Sequence, residues 1–185
     1  TSSGTATRTQ LTQIGIDQMH ASGYRGEGVW VGIFDSGFVG VNTTAPFQHL
    51  FSGSRVLYTY NFVNNRSGVY ERDDHGTEVM SVLAAQTSTY LGALPNASYL
   101  MFLTEDVASE YRIEEYNWTI AAERADSAGV DVINSSLGYY DFDDPAMNYA
   151  KSDLTGDRAV VTRAAAMARD RGMIVVCSAG NEGAI

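Results

Sequence analysis

Three polar residues with complementary chemistry lie in separate parts of the chain: Asp35 in "IFDSG", His75 in "DDHGTEV" and Asn181 in "SAGNEG". A histidine can take a proton from a hydroxyl nucleophile and return it to a leaving group. A buried aspartate can hold that imidazole in one tautomer, and an asparagine amide can donate to an oxyanion. Each residue alone also fits an ordinary turn or helix start. Together they suggest a site for acyl transfer.

The elements around these residues are predicted to bring them to one edge of a sheet. Largely apolar runs predict five strands, at 29–34, 55–63, 97–105 and 130–138, and within 173–183, where the strand runs into a loop. Helical periodicity and glycine stops predict helices at 11–22, 75–86, 109–129 and 156–172. This order indicates an α/β fold with a doubly wound, mostly parallel sheet and helices on both faces. In such sheets, reactive groups gather at the carboxyl ends of the strands, where all three residues fall.

Several side-chain positions follow from the same pattern. In the longest helix we expect Ile113, Ile120 and Ala121 to face one side. The single cysteine, Cys177, lies in an apolar run and is expected to be buried in the last strand. The glycines that follow Asp35 and His75 should let the backbone approach closely in a crowded site.

Composition excludes several classes of function. The chain has 185 residues, a formal net charge of −10 and a single lysine, Lys151. A surface this acidic is unsuited to nucleic acid, because phosphate contacts require a basic face. No stretch reaches the ~20 apolar residues of a membrane helix, so no membrane partner is expected. Neither G-x-G-x-x-G after a strand nor G-x-x-x-x-G-K-[ST] occurs, which argues against a nucleotide-binding domain.

The motifs "DSG", "DHGTEV" and "INSSLG…SAGNEG", in this order, resemble those of the subtilisin-like serine proteases, the subtilases of peptidase family S8. The similarity runs from about Leu11 to Gly183. It implies that Asp35 orients the imidazole, that His75 is the base and that Asn181 donates to the oxyanion. The implied activity is hydrolysis of peptide bonds by a serine endopeptidase.

The resemblance also implies how a peptide or protein substrate would be held. It would pair as a strand with the backbone of Ser136, Leu137, Gly138, Ala179 and Gly180. The stretch "LTEDVASEYRIEEYNW" and the insertion at 139–157 are most similar to secreted members from Bacteroidetes-type bacteria, so we expect a secreted or cell-surface protein with a prodomain as a further partner. Tyr139, Tyr140 and Phe142 fit either a substrate subsite or packing at the base of the insertion.

The nucleophile of the family is not found in this sequence. Its serine follows a Gly-Thr pair at a helix start, after the asparagine, whereas the Gly-Thr pairs at Gly4 and Gly76 have no serine after them. We therefore expect residues 11–185, after a polar arm at 1–10, to be the N-terminal part of a peptidase domain that is inactive alone. A companion C-terminal fragment would carry the serine. The alternative is a non-catalytic, subtilase-like pseudoenzyme or binding module.

No cofactor is required for this chemistry, but calcium is common in the family. The loop at 84–95 contains no carboxylate, and "FVGVNTTAPFQHL" contains none either. Two acidic loops offer oxygen ligands instead: Glu105 with Asp106, and Asp141 with Asp143 and Asp144. A solvated acidic loop is the alternative interpretation, so the sequence predicts no particular metal site.

Overall fold

A five-stranded, all-parallel sheet forms the centre of the molecule in a computed structural model, which describes residues 6–181. Its strands are β1 (Trp30–Asp35), β2 (Val56–Asn61), β3 (Ser98–Leu103), β4 (Val132–Ser135) and β5 (Ile174–Cys177). Their spatial order is β2-β3-β1-β4-β5, and each neighbouring pair is parallel. The predicted α/β class and parallel sheet are confirmed.

The helices lie on both faces of this sheet. They are α1 (Arg8–Gln13), α2 (Ile16–Ala21), α3 (Gln48–Ser52), α4 (His75–Ala84), α5 (Ile113–Ala128) and α6 (Val160–Asp170). Short 3-10 helices occupy Ala45–Phe47, Pro145–Met147 and Lys151–Asp153. Among the helices of residues 6–181, none has both the length and the hydropathy to cross a bilayer.

Alternation along the strands divides the core into two clusters. Val31 and Ile33 of β1 pack with Met80 of α4 on one face. Phe34 of β1 packs with Trp118 of α5 on the other, with their ring centroids 5.2 Å apart. Since successive strand side chains point to opposite faces, Asp35 continues the row of Val31 and Ile33. The sheet therefore directs Asp35 toward the face that α4 covers.

The N-terminal region is more ordered than the sequence analysis predicts. The expected helix at 11–22 is two helices, because Gly15 between them has a φ of 74° in the left-handed region. The assignment of residues 1–10 to a polar arm is wrong from residue 6 onward, because Thr7 is buried and exchanges hydrogen bonds with the Leu91 backbone. Residues 1–5 lie outside the described residues.

Two side-chain predictions are wrong. Ile113, Ile120 and Ala121 do not share one side of α5, because Ala121 is buried and the two isoleucines are exposed. The buried side of the helix also contains Glu114, Glu115 and Trp118. Hydrogen bonds from other segments, described below, allow these carboxyl groups to be buried. Cys177 is exposed, since β5 has a single neighbouring strand within the described residues. Gly129 does end α5, with a φ of 87°.

Candidate active site

Asp35 and His75, forty residues apart, meet at the carboxyl end of β1. His75 Nδ1 lies 2.7 Å from Asp35 Oδ1. Asp35 is fully buried at the end of its strand, while 46% of the His75 side chain is exposed at the start of α4. Because a carboxylate accepts, Nδ1–H donates to it, which fixes the tautomer and leaves Nε2 for a reacting group.

Two glycines make this approach possible. A Cβ atom at Gly76 would lie 2.4 Å from the Gly37 carbonyl oxygen and 2.8 Å from the Phe38 ring. One at Gly37 would lie 2.4 Å from the Glu71 carbonyl oxygen. All three distances are shorter than the contacts that real Cβ atoms make, so only glycine allows α4 and the loop after β1 to pack this closely. The sequence prediction that these glycines permit close approach is confirmed.

The environment shifts the pKa values of both side chains, and each side chain contributes to the shift of the other. Burial raises the pKa of Asp35, and the hydrogen bonds from His75 and the Ser36 amide oppose that rise. The hydrogen bond to Asp35 raises the pKa of His75, burial opposes it, and the charges of Asp35, Asp73 and Glu78 raise it further. The imidazolium form of His75 is therefore stabilised where a general base would need it.

Two residues behind Asp35, Ser36 and Asp73, were not predicted to take part in the site. The Ser36 amide donates to Asp35 Oδ1 at 2.9 Å, and the Ser36 hydroxyl donates to Asp73 Oδ2 at 2.7 Å. Asp73 thus anchors the serine beside the buried carboxylate, although it does not contact the imidazole through a hydrogen bond in the structure. The serine directly after Asp35 was the available signal, but its partner lies 37 residues away in sequence.

The ends of β4 and β5 lie side by side at the same edge of the sheet. The Ser178 amide donates to the Ser135 carbonyl at 3.1 Å, and the Ser178 hydroxyl contacts the Leu137 carbonyl at 3.4 Å. Ser135 is held in turn by the Trp118 indole, which donates to its hydroxyl at 3.0 Å. This brings together the two segments that the resemblance assigns to substrate.

Each proposed substrate-binding residue is at least partly accessible on these segments. Ser136 and Leu137 are half-buried, and Gly138 is exposed with no heavy atom within 4 Å of a Cβ placed on it. Ala179, Gly180 and Asn181 are exposed after β5. In the sheet, β4 lies between β1 and β5, and all three strands are parallel. The chain that leads from β5 to Asn181 therefore starts at the same edge of the sheet as Asp35.

The acidic loops do not fit a calcium ion in their present arrangement. Asp106 forms an ion pair with Arg72 at 2.5 Å, and Asp144 accepts the Ala146 amide at 3.0 Å. Within residues 6–181, no three His, Cys, Asp or Glu side chains are grouped as metal ligands. No step of the chemistry below is therefore assigned to a metal.

A family model described as "Subtilase family" matches residues 26–184. The chain belongs to the subtilase family. Subtilisin DY from Bacillus licheniformis is 31% identical over 173 residues, which are 92% of this chain and 53% of that protein. The major intracellular serine protease of Bacillus subtilis (strain 168) is 27% identical over 90% of this chain and 47% of its own length. The chain thus spans about half the length of the curated relatives it matches.

Solved structures agree on the fold. MycP1 with its N-terminal propeptide removed superposes with a TM-score of 0.65 at 21% identity, covering 94% of this chain and 49% of that one. A lanthipeptide protease gives a TM-score of 0.65 at 22% identity over 90% of this chain and 43% of its own. This subtilase chain therefore has a subtilisin-like α/β fold, and it corresponds to part of a domain.

Proposed function

We propose that this subtilase chain supplies the base, the orienting carboxylate and the oxyanion donor of a serine endopeptidase. The observation that carries the proposal is the 2.7 Å contact between His75 Nδ1 and buried Asp35. His75 Nε2 would take the proton from a serine hydroxyl as the oxygen attacks the peptide carbonyl, and would then protonate the leaving amine. Asp35 stays ionised and stabilises the imidazolium throughout.

In this proposal Asn181 donates a hydrogen bond to the oxyanion that forms at the carbonyl. The substrate lies as an extended strand against residues 136–138, where Gly138 leaves open space beside the backbone. Ala179 and Gly180, which follow β5, would contact the substrate from the side opposite residues 136–138. The strand order supports this arrangement, because the chain leaves the parallel strands β1, β4 and β5 at the same edge of the sheet.

We further propose that a companion C-terminal segment carries the serine. The exposure of two apolar residues in β5 supports this: Ile174 is 62% exposed and Val176 is 49% exposed. Apolar strand residues of this kind are normally covered by further structure. The alternative, a non-catalytic subtilase-like module, predicts no serine at that place in the longer protein.

A prodomain and a location outside the cytoplasm complete the proposal. The propeptide named for MycP1 supports a prodomain. One of the relatives is named as an intracellular enzyme, so the location needs a test of its own. Fractionation of the source cells with an antibody to this chain tests it: the protein is expected in the medium or at the cell surface, and a cytoplasmic signal would contradict it.

Labelling of the longer protein with a fluorophosphonate probe tests the catalytic proposal. We expect the label on a serine outside this chain and its loss in His75→Ala. The matched control is His20→Gln, because His20 contacts the Ala93 carbonyl away from the sheet edge and glutamine can keep that hydrogen bond. A longer protein without labelling, or His75→Ala with full labelling, would contradict the proposal.

A further inference from the structure

Three glutamates lie together where β3 ends and α5 begins. Glu105 is 8% exposed and Glu114 is 2% exposed, while Glu110 is at the surface. Burial raises the pKa of Glu114, and the charges of Glu105 and Glu110 raise it further. We call Glu105, Glu110 and Glu114 the acidic cluster.

Among residues 6–181, no cation forms an ion pair with the acidic cluster. The nearby arginines have other partners: Arg72 pairs with Asp106, and Arg112 donates to the Met147 carbonyl and lies 4.1 Å from the centre of the Tyr149 ring. Within the described part of the chain, no ion pair reaches any of the three glutamates. Buried carboxylates are normally paired, so the missing partner requires an explanation.

Glu114 also has one carboxylate oxygen without any donor. The Asp106 amide donates to Oε1 at 2.8 Å, but buried Oε2 has no hydrogen-bond partner. The neighbouring Glu115 shows the contrast, because Tyr149 donates to one of its oxygens at 2.9 Å and the Val161 amide to the other at 3.2 Å. Glu115 is therefore a structural link, whereas Glu114 has capacity for a further donor.

The acidic cluster adjoins the segment that we assign to substrate. The Tyr139 hydroxyl donates to Glu105 Oε1 at 2.5 Å, and Tyr139 directly follows Gly138. On its other side, Thr104 precedes Glu105 and donates its amide to the Asp35 carbonyl at 3.0 Å. Tyr139 therefore connects the acidic cluster to Gly138, beside which we propose that the substrate lies.

The missing donor is better matched by an organic cation than by a metal ion. The residues described contain no grouping of three acidic, His or Cys side chains suited to a metal. A guanidinium has five donors in a planar fork and an ammonium has three, each on a flexible stem. Such a group can contact oxygens that do not converge on one point.

We propose that the acidic cluster binds the cationic side chain of a lysine or arginine in the substrate, so that the protease prefers basic peptides. The inference rests on the proposed function, since it takes residues 136–138 to hold the substrate. Glu110 and Asp143 are the exposed residues of this region, and the Glu110 amide donates to Asp143 at 3.1 Å, whereas Glu105 and Glu114 are buried behind them.

The preference should depend on pH. Burial raises the pKa of Glu105 to about 7 and that of Glu114 to about 8. The groups that face them are Glu110, Asp35 and the Tyr139 hydroxyl, and none of these is cationic. Below pH 7 the acidic cluster therefore holds protons and attracts a cation less, whereas at higher pH it is ionised.

The test uses the longer, serine-bearing protein with paired peptides that carry either lysine or norleucine at one position. The position of the substitution is moved along the peptide from pair to pair. At one of these positions we expect kcat/KM at pH 8 to be about tenfold or more higher for the lysine peptide than for the norleucine peptide, and this ratio should be smaller at pH 6. Glu114→Gln and Glu110→Gln should each reduce that ratio; the exposed Glu110 variant is the safeguard if the buried one does not fold. The control Glu123→Gln, on an exposed turn of the same helix, should keep the ratio.

Fluorophosphonate labelling separates the two proposals. If the protein is labelled but lysine and norleucine peptides are cleaved equally, or if both variants keep the ratio, the inference is wrong and the protease assignment stands. If no label is incorporated, the proposed function fails, and binding of an arginine peptide against its citrulline analogue decides the inference. Equal binding of the two peptides would overturn it.

Discussion

Asp35 ends β1, and Glu105 lies two residues past the end of the neighbouring strand β3, so two buried carboxyl groups share one edge of the sheet. Burial raises the pKa of both. At Asp35 the opposing hydrogen bonds come from the imidazole and the Ser36 amide, and the imidazole can carry a positive charge. At Glu105 they come from the neutral hydroxyls of Tyr139 and Thr104, while nearby carboxylates raise its pKa further.

The difference shows that burial alone does not decide what a carboxyl group does. Asp35 has a titratable partner 2.7 Å away and is suited to stabilise a cation that forms during a reaction. Glu105 belongs to a group of carboxyls without a cation, which suits either proton sharing or the binding of a positive guest.

Removing the charge of Asp35 should have the largest effect. In the longer protein, Asp35→Asn is expected to reduce kcat by about 10⁴-fold, the size known for serine proteases that lose this contact. The reason is that an amide at this position favours the wrong imidazole tautomer. The measurement is steady-state hydrolysis of a peptide substrate.

The control for that variant is Asp131→Asn, at the opposite end of the sheet. Asp131 accepts the Trp30 amide at 2.8 Å, a role that the oxygen of asparagine can keep. Its activity should equal that of the parent protein. Comparable activity of Asp35→Asn and Asp131→Asn would contradict the assigned role of Asp35.

Gly76→Ala should disturb the packing of α4 against the loop that follows Asp35. The added methyl would collide with the Gly37 carbonyl, so we expect the free energy of unfolding to fall by about 2 kcal/mol. Urea unfolding of this chain measures it. Gly138→Ala is the matched control, because its added methyl meets no atom within 4 Å. Equal stability of the two variants would show that α4 can move away without cost.

The sequence predicted the Asp35–His75 pair because local rules are sufficient there. A buried strand that ends in an aspartate, followed by a histidine at a helix start, leaves few arrangements in a parallel sheet. The family motifs added the roles, and the glycines indicated close packing. The bounds of the strands differ from the prediction mainly in length, since the structure ends β3 at Leu103 and β4 at Ser135.

The acidic cluster could not be predicted in this way. Apolar periodicity placed Ile113 and Ile120 on one side of α5, but the helix buries Glu114 and Glu115 instead. What permits their burial comes from distant segments, such as the Tyr149 hydroxyl and the Asp106 amide. Periodicity contains no information about such tertiary hydrogen bonds. The link from Ser36 to Asp73 was missed for the same reason.

The pH dependence of stability tests whether Glu105 and Glu114 keep their protons in the folded state. The pKa values of about 7 for Glu105 and about 8 for Glu114 lie above the value of 4.5 for a free glutamate. The folded state therefore keeps protons that the unfolded state releases, and this contribution to stability is lost as the pH rises through 7 and 8. We expect the unfolding temperature of this chain to fall between about pH 5 and pH 9.

Glu114→Gln should make that fall shallower, because glutamine stays neutral across the whole range. The exposed Glu123→Gln on the same helix should leave the slope as it is. Thermal unfolding followed by circular dichroism in matched buffers gives both slopes. A chain that becomes more stable toward pH 9, or a Glu114→Gln variant with the parent slope, would refute the protonated state of the acidic cluster.

The smallest effect, the pKa of His75 itself, is the most direct measure of its coupling to Asp35. The hydrogen bond to Asp35 is the largest cause of the raised pKa, so Asp35→Asn should lower it. NMR titration of the imidazole carbons in this chain needs no serine and no substrate. His49 provides an internal control, because burial lowers its pKa and it is bonded to the Pro95 carbonyl instead. If the His75 titration stays the same in the variant, the charges of Asp73 and Glu78 hold the imidazolium. Asp35 would then act through geometry alone.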